Sequence, residues 1–307
     1  MSSLNIFCKK SISILYISEI MKLKFERQII IDYPSGSALE FYKDTLFVIG
    51  DDVNYILCVD EKWNETKRLK LFDFDGERIP KPIKPDLECA TIIDDVLYVI
   101  GSGSRSPQRD VAFIIDLADD TIKKINTSAF YSIFRDRNLV VEMNIEGFSD
   151  CKDKLLFFNR GNTQQANQLI ITDKNVLKKQ FPSRFKVMPI IIGALNNVSL
   201  GISGACYDEK NDVLLLTASA EDTNNAYDDG EIIGSCLGIV FNAYDKLNNK
   251  ELVIDEFIEL ERIDVAFSKQ KIESICITNQ SDKNYTCVLV ADNDDGKSAL
   301  FEIKIEL

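Results

Sequence analysis

Hydrophobic residues in this chain gather in short dense runs, such as Leu46-Phe47-Val48-Ile49, Leu97-Tyr98-Val99-Ile100 and Val213-Leu214-Leu215-Leu216, bounded by Asp, Asn, Gly and Lys. Runs of this length, rich in β-branched and aromatic residues, predict strands. Helical periodicity is scarce, and only residues 128–137 read as one short helix. Ahead of five runs stands the same three-residue cell: an apolar slot, then Glu or Ser, then a very small residue. The copies are Gly36-Ser37-Ala38 (with Gly in the apolar slot), Leu87-Glu88-Cys89, Ile145-Glu146-Gly147, Ile202-Ser203-Gly204 and Ile272-Glu273-Ser274. Their middle positions are 51 to 70 residues apart, and three hairpins (37–50, 88–101, 146–159) share a 14-residue register. A supersecondary unit repeated at such a period is the signature of a β-propeller.

The runs predict an all-β fold: a single propeller of five blades, each a four-stranded antiparallel sheet. The fifth blade shows three strands of its own, at 275–278, 285–291 and 298–305. A lone strand at 24–32 is free to supply the fourth, closing the ring and removing an exposed edge. Six blades is the alternative, because the stretches before Glu146 and Ser203 are long enough to hide extra strands. Residues 21–307 are expected to form the propeller domain. Residues 1–20 read as a non-core extension or a weak signal-like segment; their apolar run, 11–17, is too short to span a bilayer.

Composition narrows the chemistry. A net charge of −13 argues against nucleic-acid binding and against anionic membranes. Histidine is absent, which removes His-dependent triads, His-ligated zinc and a His general base. The eight cysteines form no C-x-x-C pair, and most sit in or beside predicted strands, where free Cys behaves as a small hydrophobe. That usage points to the cytoplasm, with export as the alternative if 1–20 acts as a signal.

In an antiparallel hairpin the start of the first strand lies beside the end of the second. Ser37, Glu88, Glu146, Ser203 and Glu273 should therefore share one face with the loops 50–52, 101–105, 159–162, 219–222 and 292–296, and with the connection 78–86. On that face Glu88, Glu146 and Glu273 converge near Lys84, Arg105, Arg109, Arg160 and Asp51, the expected ligand-binding set. Two explanations are open. The three glutamates hold calcium or another divalent cation, or act as acid and base; or the charges pair with one another and with Arg78 and Lys81 as a ring-locking network. The segment 291–296, followed by Glu302, nearly matches a calcium loop but has Ala291 at the first ligand position and reads as a hairpin turn.

Several segments resemble a known group. These are 34–40 (PSGSALE), Ile49-Gly50-Asp51-Asp52, Arg78-Ile79-Pro80-Lys81 followed by Lys84-Pro85-Asp86-Leu87-Glu88, Gly101-Ser102-Gly103-Ser104 with Arg109-Asp110, and Ile145-Glu146-Gly147-Phe148. Together they resemble an uncharacterised bacterial branch of the esterase-like, phytase-like propellers, most closely over residues 32–116. The resemblance implies a propeller with a site at the channel mouth and a hydrolase ancestry. Calcium-dependent phytases rely on many channel carboxylates, whereas here Ser37 and Ser203 take two of the five inner positions. Three function classes follow: a ligand-binding propeller using the charged face, a metal-dependent hydrolase of phosphate or carboxylic esters, and a protein-interaction scaffold. The expected partner is a small molecule, and the chain is expected to be a monomer.

Overall fold

The computed structural model describes residues 21–179, 182, 184–222, 230–292 and 296–307, with the backbone of 16–17. Its five antiparallel sheets are the blades of a five-bladed β-propeller, so the six-blade alternative falls. The first blade is Gly36–Tyr42, Thr45–Gly50, Tyr55–Val59 and Glu65–Lys70. The second is Leu87–Ile93, Val96–Gly101, Val111–Asp116 and Ile122–Asn126. The third is Ile145–Cys151, Lys154–Asn159, Gln168–Asp173 and Phe185–Ile191. The fourth is Val198–Asp208, Val213–Asp222, Glu231–Phe241 and Glu256–Glu259. The fifth is Ile272–Gln280, Asn284–Asp292 and Ser298–Glu306, completed by Lys22–Ile31 from the other end of the chain. That last strand runs antiparallel to Ser298–Glu306, from Lys22 opposite Glu306 to Ile31 opposite Ser298, the closure expected of it. Cys8, most of 1–20 and residues 293–295 lie outside the described residues.

The inner strands contact one another in sequence order, and the fifth contacts the first. The core is correspondingly divided: five buried hydrophobic clusters occupy the five seams between neighbouring blades. Second strands such as Thr45–Gly50 are buried on both faces because a blade covers each side, and so read as continuous apolar runs. Outer strands are edges, and the first blade guards its edge with the charged Glu65–Lys70. The segment 252–260 does not form one outer strand. Leu252–Val253 pairs in parallel with Phe185–Ile191 of the third blade, and only Glu256–Glu259 finishes the fourth. Asp255 makes the break: its carboxylate accepts the Phe241 N–H at 2.7 Å and binds Lys246 at 2.5 Å.

The repeated cell has a structural cause that alternation alone does not reveal. In every blade the pairing of the first two strands slips at the cell, between Gly36 and Ala38, Leu87 and Cys89, Ile145 and Gly147, Ile202 and Gly204, and Ile272 and Ser274. Ser37, Glu88, Glu146, Ser203 and Glu273 are thus the extra residues of five β-bulges, a device that re-aims a side chain. The residues either side grip the two neighbouring blades. Leu87 packs in the seam with the first blade and Cys89 in the seam with the third. The third slot is small because the inner strands crowd together and the next blade's inner strand lies against it. A Cβ on Gly204 would stand 2.7 Å from the Ser274 Cα.

Candidate functional site

At the end of the ring where the inner strands begin, two chains of alternating charge are built from residues at or just before the bulges and at or just after the ends of the second strands, joined by Lys84 and Arg109 from the connecting loops. In the first, the Lys84 ammonium bonds Asp51 and lies 2.9 Å from Asp86. Asp86 also accepts from Arg109 at 2.6 Å and from the Ser102 hydroxyl, and Arg109 donates to Ser104 at 2.7 Å. In the second, Arg160 bonds Glu146 at 2.9 Å, Glu221 at 3.3 Å and the Ser219 hydroxyl at 2.9 Å. Lys271 continues it, 3.6 Å from Glu221 and 3.0 Å from Glu273.

The loop that supplies Ser102, Ser104 and Arg109 is held from behind by the helix Ser128–Asp136. Tyr131 donates its hydroxyl to the Gly101 carbonyl, and Arg135 binds Asp110 at 2.7 Å and the Gly103 carbonyl. Gly103 has φ of +70°, and the Tyr131 ring lies 2.7 Å from where its Cβ would be, so only glycine fits there.

Glu88 stands between the two chains. Among the described residues it makes no hydrogen bond and no ion pair, while one oxygen each from Asp51, Asp86 and Glu88 lie within 4.8 Å of one another. Burial, then the negative charges of Asp86, Asp51 and Glu146, hold its carboxyl well above the usual range. Asp86 has the opposite character: burial pushes it up, but Lys84 and Arg109 outweigh burial and leave it low. Burial raises Asp51 to about 6 and Glu146 to about 7, against the pull of Lys84 and Arg160 respectively. Burial likewise raises Glu273. Two carboxylate oxygens, Asp51 Oδ1 and Glu273 Oε2, are buried with no donor.

Of the residues picked out from sequence, Glu88, Glu146, Glu273, Lys84, Arg109, Arg160 and Asp51 come together here. Arg105 is exposed and stands outside the buried set. Sequence reasoning missed Asp86, Glu221 and Lys271 as members. Asp86 and Lys271 occupy the position just before the apolar slot, which is Ser35, Asn144 and Gly201 in the other copies. That position is polar or glycine in every blade, and this was the available signal.

The chain is therefore a five-bladed β-propeller. It belongs to the family of unknown function DUF6929, whose model matches residues 32–305. No curated protein matches the chain in sequence. Among solved structures it is similar to a glutaminyl cyclase from Myxococcus xanthus, at 11% identity and a TM-score of 0.54, over 92% of this chain and 96% of that one. It is also similar to a DUF4221-family protein from Bacteroides vulgatus, at 11% identity and a TM-score of 0.38, over 96% and 92% of the two chains. At such identities the first likeness concerns the fold alone, and the second carries no argument. These matches support a propeller of uncharacterised family and do not confirm the narrower resemblance to esterase-like, phytase-like proteins. Among the described residues no helix is long and apolar enough to cross a membrane, and seven cysteines are unpaired.

Proposed function

We propose that the mouth of the axial channel binds a small molecule that offers a positive charge or a hydrogen-bond donor to Glu88. What carries this reading is that Glu88 is unpartnered in a ring whose neighbouring charges are already locked in pairs. Fixed neighbours and one open carboxyl are what a preorganised binding site requires. The balance of groups supports it: the acids Asp51, Asp86, Glu88, Glu146, Glu221 and Glu273 outnumber the cations Lys84, Arg109, Arg160 and Lys271 by two, six against four, so the site retains protons that a bound cation can replace. A bound cation stabilises the folded protein by mass action. In a thermal-shift assay, calcium, manganese or methylammonium should raise the melting temperature of the parent and not of Glu88→Gln. Equal responses of the two proteins, or none in either, would remove the proposal.

A second reading, a metal-dependent ester hydrolase, is favoured by the Asp51, Asp86 and Glu88 oxygens, a hard donor set suited to calcium or manganese. It shifts the metal from the expected Glu88, Glu146 and Glu273 set, since Glu146 and Glu273 already hold Arg160 and Lys271. Asp51 Oδ1 lacks a donor, which suits a cation, while Lys84 competes for the same oxygens. The low Asp86 and raised Glu88 are also the pairing that separates a base from an acid. Manganese-dependent hydrolysis of p-nitrophenyl phosphate or acetate, lost in Glu88→Gln, would establish this reading; its absence would leave binding alone.

A further inference from the structure

We infer that a second site, at the end of the propeller away from the channel mouth, binds a small soluble phosphate monoester that carries hydroxyl groups. Its phosphoryl group meets Lys24 and Lys304. The inference does not depend on the reading of the mouth.

The register of the fifth blade sets Lys24 directly opposite Lys304, and Lys304 in turn opposite Thr286. Like charges facing each other across two strands cost stability. Here both ammonium groups reach the same atom, Glu26 Oε1, at 2.8 and 3.3 Å. Glu26 is the extra residue of a bulge, where the pairing slips between Phe25 and Arg27. The bulge lets one carboxylate stand by both lysines while Arg27 takes the next place in register, opposite Glu302. Burial would raise the Glu26 carboxyl, but Lys24 and Lys304 outweigh it and hold it below the usual range. Two cations thus share a single anionic oxygen.

The same two lysines and Lys22 wall a cavity of about 370 Å³, whose one acid is Glu306, bonded to Lys22 at 2.9 Å. Glu26 is not part of that wall, so the cavity carries an excess of positive charge in a chain whose net charge is −13. Asn279, Ser281, Asn284 and Thr286 also line it, and none of these four side chains has a partner among the described residues. Separate ammonium groups suit a phosphate dianion, whose charge is spread over several oxygens open to approach from different directions. A planar carboxylate is matched better by the fork of an arginine. The amides and hydroxyls suit the hydroxyl groups of the ligand's body. None of the six exposed large hydrophobic residues lines the cavity, so the phosphate of a membrane lipid finds no apolar anchor beside it.

The test is isothermal titration of the full chain with glycerol 3-phosphate, inorganic phosphate and glycerol, at neutral pH and low salt. The proteins are the parent, Lys24→Gln/Lys304→Gln, Asn284→Ala/Thr286→Val and Glu26→Gln. The parent should bind glycerol 3-phosphate more tightly than phosphate, and glycerol not at all. Loss of both lysines should weaken binding by about tenfold or more. Glu26→Gln should strengthen it, roughly two- to fivefold, because the lysines no longer share their charge with a carboxylate. In Asn284→Ala/Thr286→Val the two phosphates should bind alike. Melting temperatures close to the parent's establish that the variants are folded. If neither phosphate binds the parent, if binding survives the loss of both lysines, or if Glu26→Gln weakens it, the inference falls. Equal binding of the two phosphates to the parent leaves an anion site only and overturns the hydroxylated ligand. Sedimentation of the chain with phosphatidic acid vesicles, and not with phosphatidylcholine alone, overturns the soluble one.

Discussion

Replacing Gly204 by alanine places a methyl group where the next blade already is. The new Cβ would lie 2.7 Å from the Ser274 Cα, 3.1 Å from the Glu273 carbonyl oxygen and 2.6 Å from the Thr217 hydroxyl. Two of these three neighbours are backbone of the fifth blade's inner strand and cannot rotate aside. Ordinary carbon contacts are about 3.5–4.0 Å, so the fourth and fifth blades must part by about 1 Å, forfeiting roughly a quarter to a half of the dispersion energy across the seam. That seam holds Leu215, Leu237, Ile272 and Ile275. Overpacking of this kind costs about 1–3 kcal/mol, and we expect the upper end because backbone takes the clash. Gly147→Ala is the control: the nearest atoms to its Cβ are side-chain atoms, of Phe158 at 3.1 Å and Ala205 at 3.3 Å. There alanine also gains about 0.4–1 kcal/mol by restricting the unfolded chain, so the net effect should be close to zero. Urea unfolding followed by the fluorescence of Trp63, the chain's one tryptophan and a buried one, measures both. If the two variants agree within about 0.5 kcal/mol, the scatter tolerated between independent sites, the third slot is not the contact between blades described above.

Removing one partner of the second ion chain should be worse than removing both. Arg160→Met leaves Glu146 and Glu221 buried without their guanidinium and should cost about 3–5 kcal/mol, with part of the loss restored when Glu146→Gln is added; a loss no greater for Arg160→Met than for the double variant would contradict this. Burial raises Asp51 to about 6, Glu146 to about 7 and Glu40 to about 8, so the folded protein holds protons that the unfolded chain releases near pH 4. Stability from these groups is complete in acid and is lost as pH rises from about 5 to 8, by an amount on the order of a few kcal/mol. A melting temperature that is flat or rising over that range, without added cation, would refute it. Glu40→Gln should remove the upper part of the decline and raise stability at pH 8.

The propeller was legible because its signal is repeated: five cells, dense second strands and an unpaired first strand that needed a sheet. The candidate site was only half legible. Ser37, Glu88, Glu146, Ser203 and Glu273 could be aligned as one ring from the cell alone. Strand alternation assumes one residue per pleat, however, and the bulge at each cell inserts one more, so alternation could not assign the directions of the slots on either side. The pairings that lock the ring lie between residues far apart in the chain, such as Lys271 with Glu221 and Arg160 with Glu221. Nothing local in the sequence distinguishes Glu221 from the other acids of its loop. Arg105 shows the reverse error: its loop was placed correctly, but a polar turn gives no signal for which of its cations turns inward, and Arg109 does so.

The central claim, that an unpartnered carboxyl at the channel mouth receives a cation, is tested most directly by an NMR titration of side-chain carboxyl carbons in the parent and in Glu88→Gln. The account predicts one resonance, missing from Glu88→Gln, that titrates well above the usual glutamate range because of burial and the charges of Asp86, Asp51 and Glu146. At neutral pH the same resonance should move to its ionised position when methylammonium is added, as the cation displaces the proton. A Glu88 resonance that titrates near the ordinary value of about 4.3, and that does not respond to the cation, would contradict the account.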